Sequence, residues 1–267
     1  MDKAWAFLKR DFRINVSYRI AFLLRFLGLF FSTALYYFIA QLIGRAAIPQ
    51  LESYGGDYFA FLLIGIALSG YLGTSLSSFS SVIRSEQVTG TLEMMLLTPT
   101  KLSTIVISSS LWSFLLTSLN VFLYLLLGVL VFGLDLGRGN WPAALLILIL
   151  TIICFSSLGI IAAAFIMVLK RGDPVTWVFG MFSSLLGGVY YPITIMPQGL
   201  QYFSYLLPVT YSLRAMRHAL LMGYSFRELL PDMAIVSLFC VVLLPLGLVS
   251  FRYAVHRAKV EGSLTHY

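Results

Sequence analysis

Six long apolar runs, each near the length needed to cross a bilayer, set the rhythm of the chain. A crossing helix needs about 20 apolar residues, and such runs fall near 26–44, 58–83, 103–132, 142–169, 174–192 and 232–251. Each of these runs reads as free of Asp, Glu, Lys, Arg and His. Residues 1–25 have a different character. Lys3, Lys9, Arg10, Arg13, Arg19 and Arg25 are set against Trp5, Leu8, Phe12 and Val16, which recur at helical spacing. The pattern predicts an amphipathic helix in the headgroup region, its bases snorkelling toward anionic lipid. The alternative is a basic leader that only fixes topology.

Two intervals depart from the simple alternation of spans and loops. Residues 174–213 contain no charge, yet Pro192, Pro197 and Pro208 interrupt them. They are too many for one span and too broken for two. The reading is a span ending near Pro192, then a re-entrant or outer hairpin over about 193–225. Irregular backbone at membrane depth survives only against protein or a water-filled cavity. Arg214, Arg217 and His218 are then expected to mark the return to the outer headgroups; a plain amphipathic surface loop is the alternative. The other interval is 86–99, the most motif-like polar stretch of the chain. Gly90 can open a helix there, Glu93 sits in its first turn at the positive end of the dipole, and Pro99 ends it. Leu92, Met95 and Leu96 fall on one side, as for a short helix that fits a groove.

Composition places the chain in the membrane. Of 267 residues, 59% are hydrophobic and 11% charged, against about 25% charged in a soluble domain; mean hydropathy is +0.90. The first apolar run lacks a small-residue cleavage site and reads as a retained span. Cys154 and Cys240 both lie in apolar runs and suggest no disulfide framework. The net charge of +7 fits membrane orientation better than nucleic acid. With six spans and both termini inside, the cytoplasmic side holds the six leading bases together with Arg84, Lys101, Lys170, Arg171, Arg252, Arg257 and Lys259. Only Arg45, Arg138, Arg214, Arg217 and Arg227 remain outside. Bases gather on the cytoplasmic side, so the 86–99 helix faces the cytoplasm and residues 252–267 form a cytoplasmic tail.

The second span is rich in hydroxyls (Ser69, Thr74, Ser75, Ser77, Ser78, Ser80 and Ser81), and the third adds Ser108, Ser109, Ser110, Thr117, Ser118 and Asn120. Close helix packing, helped by Gly65, Gly70 and Gly73, is favoured over a hydrophilic path. Several chemistries are missing. No Gly-Lys dipeptide occurs, so no phosphate-cradling loop of that type exists. His218, His256 and His266 form no metal-spaced pair, and no nucleophile–base set stands out. No metal site and no enzymatic activity are expected of this chain. A proton-coupled carrier needs titratable groups at depth; a sodium-coupled one, using carbonyls and hydroxyls, is weakened rather than excluded. A non-transport assembly factor also stays open.

Two separated segments resemble one family. Glu86, then Gly90-Thr91-Leu92-Glu93, then Thr98-Pro99 is similar to the cytoplasmic loop of ABC-2-type transporter permeases. Gly187-Gly188-Val189-Tyr190-Tyr191-Pro192, Met196-Pro197 and Leu206-Leu207-Pro208-Val209-Thr210-Tyr211-Ser212 with Arg214 resemble that family's fifth span, outer turn and following segment. The resemblance implies an all-α integral membrane fold of six transmembrane helices, with the interfacial helix before them and short outer helices capping an exit path between spans five and six. It implies a coupling helix formed by Glu86, Gly90, Thr91, Leu92, Glu93, Met95, Leu96, Thr98 and Pro99, docking on a separate ABC ATPase subunit. ATP and Mg would be bound by that partner, with no cofactor in this chain. A second permease copy or homologue and membrane lipid complete the partners, with no nucleic acid. The setting would be the cell (inner or plasma) membrane, and the cargo an apolar or amphipathic drug, lipid or lipid-linked glycan. Candidate cargo contacts are Phe182, Tyr190, Tyr191, Tyr205 and Tyr211; ordinary interfacial anchoring is their alternative role.

Overall fold

The computed structural model describes residues 5–6, 8–10, 12–13, 19–43, 49–88, 102–169 and 174–260. These residues are helical almost throughout, with no strand among them. In chain order the α-helices are α1 (Arg19–Ile43), α2 (Tyr58–Val88), α3 (Leu102–Leu130), α4 (Trp141–Leu169), α5 (Pro174–Leu186), α6 (Gln198–Tyr205), α7 (Pro208–Leu221) and α8 (Phe226–Val260). Single 3-10 turns at Pro49–Tyr54 and Ile193–Ile195 join them.

Five of these helices, α1, α2, α3, α4 and α8, are long and apolar enough to cross a membrane. The predicted crossing at 174–192 is not among them. α5 has 13 residues, about 20 Å at 1.5 Å per residue, against a hydrocarbon core of about 30 Å. It stops because Gly187 and Gly188 turn the chain, Gly188 at φ 78°, a region an L side chain adopts only with strain. α1 in turn begins at Arg19, inside the stretch assigned to an interfacial helix. Ahead of it, residues 5–6, 8–10 and 12–13 are helical, and Phe12 meets Trp112 of α3 edge-on at 5.9 Å. The rest of 1–18 lies outside the described residues.

α2 is the pillar of the fold. Some 72% of its apolar window is buried, against 11% for α1. α3 and α4 both pack on it, and α8 packs most extensively on α4. Small residues set how close these helices come. A Cβ at Gly159 of α4 would lie 1.7 Å from the Ser75 carbonyl oxygen of α2, and one at Gly247 of α8 would lie 2.9 Å from that of Ser157. Hydroxyls serve the same contacts: Tyr71 donates to Ser118 at 2.8 Å, and Thr74 meets Thr117 at 2.6 Å. Most other hydroxyls of α2 bond to carbonyls one turn back in their own helix. The hydroxyl-rich faces thus pack helices, as their spacing suggests.

One end of the bundle is capped with care. Asp57 accepts from the amides of Phe59 and Ala60 at 2.9 and 3.3 Å, starting α2. Asn140 caps α4 through Ala143 and donates its own amide to the Tyr224 carbonyl at 2.9 Å. Ser225 donates to Glu228 from its amide and its hydroxyl, both at 2.7 Å, at the start of α8. α2 and α4 start here, α3 ends here, and the interval 193–225 folds here as α6 and α7.

Candidate functional site

α7 organises this end. Pro208 occupies its first turn, where a missing amide costs nothing. Ten of its 14 residues are buried, an uncommon fate for a short polar-looking segment. α6 is folded back against it by local bonds: Thr210 donates to the Ser204 carbonyl at 2.7 Å and Tyr211 to the Tyr205 carbonyl at 2.9 Å, while Gln201 donates to the Met196 carbonyl at 2.7 Å and holds α6 to the turn before it. The stretch is therefore no loose surface loop.

Arg217 contradicts its expected place among headgroups. It is 2% exposed, and its guanidinium reaches three backbone carbonyls: Phe61 at 3.1 Å, Gly188 at 2.8 Å and Val189 at 2.9 Å. Its centre lies 3.4 Å from the Phe61 ring centroid and 6.0 Å from that of Tyr54. One side chain so ties α2, the turn after α5, and α7. Burial pushes its pKa down to about 9, opposed by Tyr54 and Tyr58, so it stays charged at neutral pH. Carbonyls rather than a carboxylate hold the charge, which suits a planar fork with five donors. Gly65 makes the room: a Cβ there would lie 2.2 Å from the Val189 oxygen and 2.4 Å from Arg217 Nη2.

Arg214 is paired within the protein rather than free. It forms a bidentate pair with Asp232 of α8, Nε lying 2.9 Å from Oδ2 and Nη2 reaching Oδ1, and it stacks on Tyr211 at 5.3 Å. The Asp232 hydrogen bond raises its pKa above the ordinary arginine value. Asp232 is the first residue of the last apolar run, and reading that run as free of charge passes over it. α8 in fact starts six residues earlier and carries Pro231 and Pro245 inside it. His218 lies between the rings of Tyr54 and Tyr224, at 5.1 and 4.7 Å. Burial lowers its pKa, with Arg214 and Arg217 acting the same way and Asp232 opposing. A small cavity of about 10 Å³ between Tyr54, Gly188, Arg214 and Arg217 has room for about one water.

The five aromatic cargo candidates do not converge on one pocket. Phe182 is exposed on α5. Tyr190 is exposed, with its carbonyl accepting from Tyr58 at 3.0 Å. Tyr191 donates to the Leu185 carbonyl at 2.8 Å, bracing the end of α5. Tyr205 and Tyr211 join α6 to α7 as above. None of them lines the larger cavity, an apolar cleft of about 200 Å³ between α2, α3, α4 and α7. Of the predicted coupling segment, Glu86 closes α2 together with Gln87 and Val88; Gly90, Thr91, Leu92, Glu93, Met95, Leu96, Thr98 and Pro99 lie outside the described residues.

Comparison with known proteins adds one result. The family model described as "ABC-2 type transporter" matches residues 3–221, which takes in both resembling segments and every helix through α7. No curated protein matches the sequence.

Proposed function

The chain belongs to the ABC-2 type transporter family, and from that premise we propose that it is the permease subunit of an ATP-driven exporter. It is a multi-pass membrane transport protein with several apolar helices. In the proposed reading two such subunits, identical or homologous, enclose a path across the cell membrane. A separate ABC ATPase subunit binds ATP and Mg, and this chain performs no catalysis itself. Both termini and residues 86–99 face the cytoplasm, which puts α6, α7 and the arginine-tied cap on the outer side. The cargo in this reading is an apolar or amphipathic molecule moved outward. The family match over most of the chain carries this reading. It favours ATP-driven transport over an ion-coupled carrier or an assembly factor, and the described long helices offer no carboxylate or imidazole at mid-depth for a proton relay.

Coupling is assigned to Glu86 and Gly90–Pro99, with Leu92, Met95 and Leu96 entering a groove on the ATPase. Burying one such side chain is worth roughly 1.5–3 kcal/mol, whereas an exposed ion pair through Glu93 is worth about 0–1 kcal/mol. Docking therefore rests on the apolar face. Leu92→Asp should abolish co-purification of the ATPase without lowering membrane insertion. Glu93→Lys should keep some complex but reduce cargo-stimulated ATP hydrolysis. Wild-type complex yield and transport in Leu92→Asp would remove the coupling role.

A further inference from the structure

Neither arginine of α7 lines the apolar cleft. Its walls include Leu68 of α2, Leu125 of α3, Ala144 and Leu148 of α4, and Met216 and Leu220 of α7. No charged side chain lines it. At about 200 Å³ it exceeds the cavity of about 150 Å³ that stays dry and takes up benzene when lined by Leu, Ile and Phe. Trp141 and Leu145 also line it and are 50% and 60% exposed, so it opens sideways, toward the surface that faces lipid. From Trp141 to Leu148 is two turns of helix, about 10 Å deep. That is less than one leaflet of a hydrocarbon core of about 30 Å.

The entrance has a polar complement. Trp141 is the first residue of α4, at the level where indole rings sit among headgroups. Arg138, three residues earlier in the loop leading into α4, is exposed. A cation three residues before the tryptophan of a sideways-opening apolar slot matches a molecule with an anionic phosphate at one end and an alkyl chain at the other. We propose that this cleft is a binding site for one acyl tail of a phospholipid, whose phosphate meets Arg138 at the rim. A detached apolar solute would leave Arg138 without a role; a lipid uses both features. Because Met216 and Leu220 belong to α7, the bound tail packs directly on the helix that carries Arg214 and Arg217.

The test uses the full chain in phosphatidylcholine vesicles doped with a phosphatidylglycerol carrying a diazirine near the end of one tail. After illumination, adducts are mapped by peptide mass spectrometry. Adducts should concentrate on peptides holding Leu68, Leu125 and Leu148, above the level at Val241 and Leu42, which are 69% and 87% exposed on the perimeter. Ala144→Phe fills the cleft from a buried position. Leu145→Trp closes its mouth from an exposed one, and so tests the site even if the first variant folds poorly. Both should reduce cleft adducts to the perimeter level while leaving perimeter adducts unchanged. Arg138→Gln should reduce cleft labelling by the phospholipid, but not by a diacylglycerol with the same diazirine tail. Equal labelling of cleft and perimeter, or cleft labelling that survives Leu145→Trp, would overturn the site and leave only ordinary contact with bulk lipid. Loss in the two cleft variants without any effect of Arg138→Gln would overturn the phosphate contact. No outcome depends on an ATPase partner, so failure here and failure of the export reading are separable.

Discussion

Gly65→Ala tests the arginine tie with a single methyl group. The added carbon would sit 2.2 Å from the Val189 carbonyl oxygen and 2.4 Å from Arg217 Nη2, distances no packed structure tolerates. The helix cannot retreat, because Phe61 and Ile64 beside it are buried to within 2%. Overpacking of this kind costs about 1–3 kcal/mol. Displacing Nη2 from Val189 removes a hydrogen bond to a charged group, worth about 1.5–3 kcal/mol. Alanine returns about 1 kcal/mol of helix propensity. The net expectation is a loss of about 1.5–5 kcal/mol. Gly73→Ala, in the same helix with nothing within 4 Å of its Cβ, should instead be neutral or gain up to about 1 kcal/mol. Thermal unfolding in detergent, followed by circular dichroism at fixed pH, reads both. The double variant Gly65→Ala with Arg217→Met should lose less than the sum of the two single changes, since they share partners. Gly65→Ala at or above wild-type stability would refute the tie.

Three further expectations follow from the same end of the bundle. His218 has its pKa lowered by burial, so its neutral form is the one folding favours; that contribution is complete above the unfolded value of about 6.5 and is lost as pH falls through the lowered folded value. The unfolding midpoint of wild type should therefore drop between pH 7.5 and 5 more steeply than that of His218→Phe, and parallel curves would refute this. Arg214→Met strands Asp232, whose side chain is 10% exposed, and should cost about 1–3 kcal/mol, with Asp232→Asn in the same chain recovering part of it; full additivity would mean the pair does not act as one. Cysteine probes at Ser53, exposed in the 3-10 turn before α2, should react only from outside and at Gly262 only from the cytoplasm, whereas labelling of Gly262 from outside would require an odd number of crossings.

The helical class and the long apolar helices could be read from the chain because membrane solvation acts residue by residue. Every backbone group in hydrocarbon must be bonded internally, so a run of about 20 apolar residues has few alternatives. The packing role of Thr74, Thr117 and Ser118 was legible for a similar reason, since small hydroxyl residues recur along α2 and α3. Arg217 was not. Its bond to Phe61 spans 156 residues, and no local period encodes it. A cation just past an uncharged run reads as a headgroup anchor unless the receiving backbone is known to be open. The available signal was Gly65 together with Gly187-Gly188, positions where a guanidinium can approach the main chain. α5 was read as too long for the complementary reason: the apolar run continues past Leu186, but Gly187, Gly188 and Pro192 turn the backbone and end the helix there.

The cap and the helix contacts below it are held by different kinds of force, and this bears on how motion can pass through the bundle. Contacts between α2 and α4, or α4 and α8, rest on close approach at Gly159 and Gly247. Dispersion contacts of that kind have little directional preference. The cap is held by charge-assisted bonds at 2.8–3.1 Å, and hydrogen bonds weaken steeply once misaligned. Moving α7 relative to α2 and to the turn after α5 would break three such bonds around a cation that is 2% exposed. α7, the turn at Gly188–Val189 and the first turns of α2 are therefore expected to move as one body. α8 is joined to that body through the Arg214–Asp232 pair, but the missing amide at Pro245 leaves its lower half free to bend. Rearrangement should then be largest on the α8 side below Pro245, not within the cap.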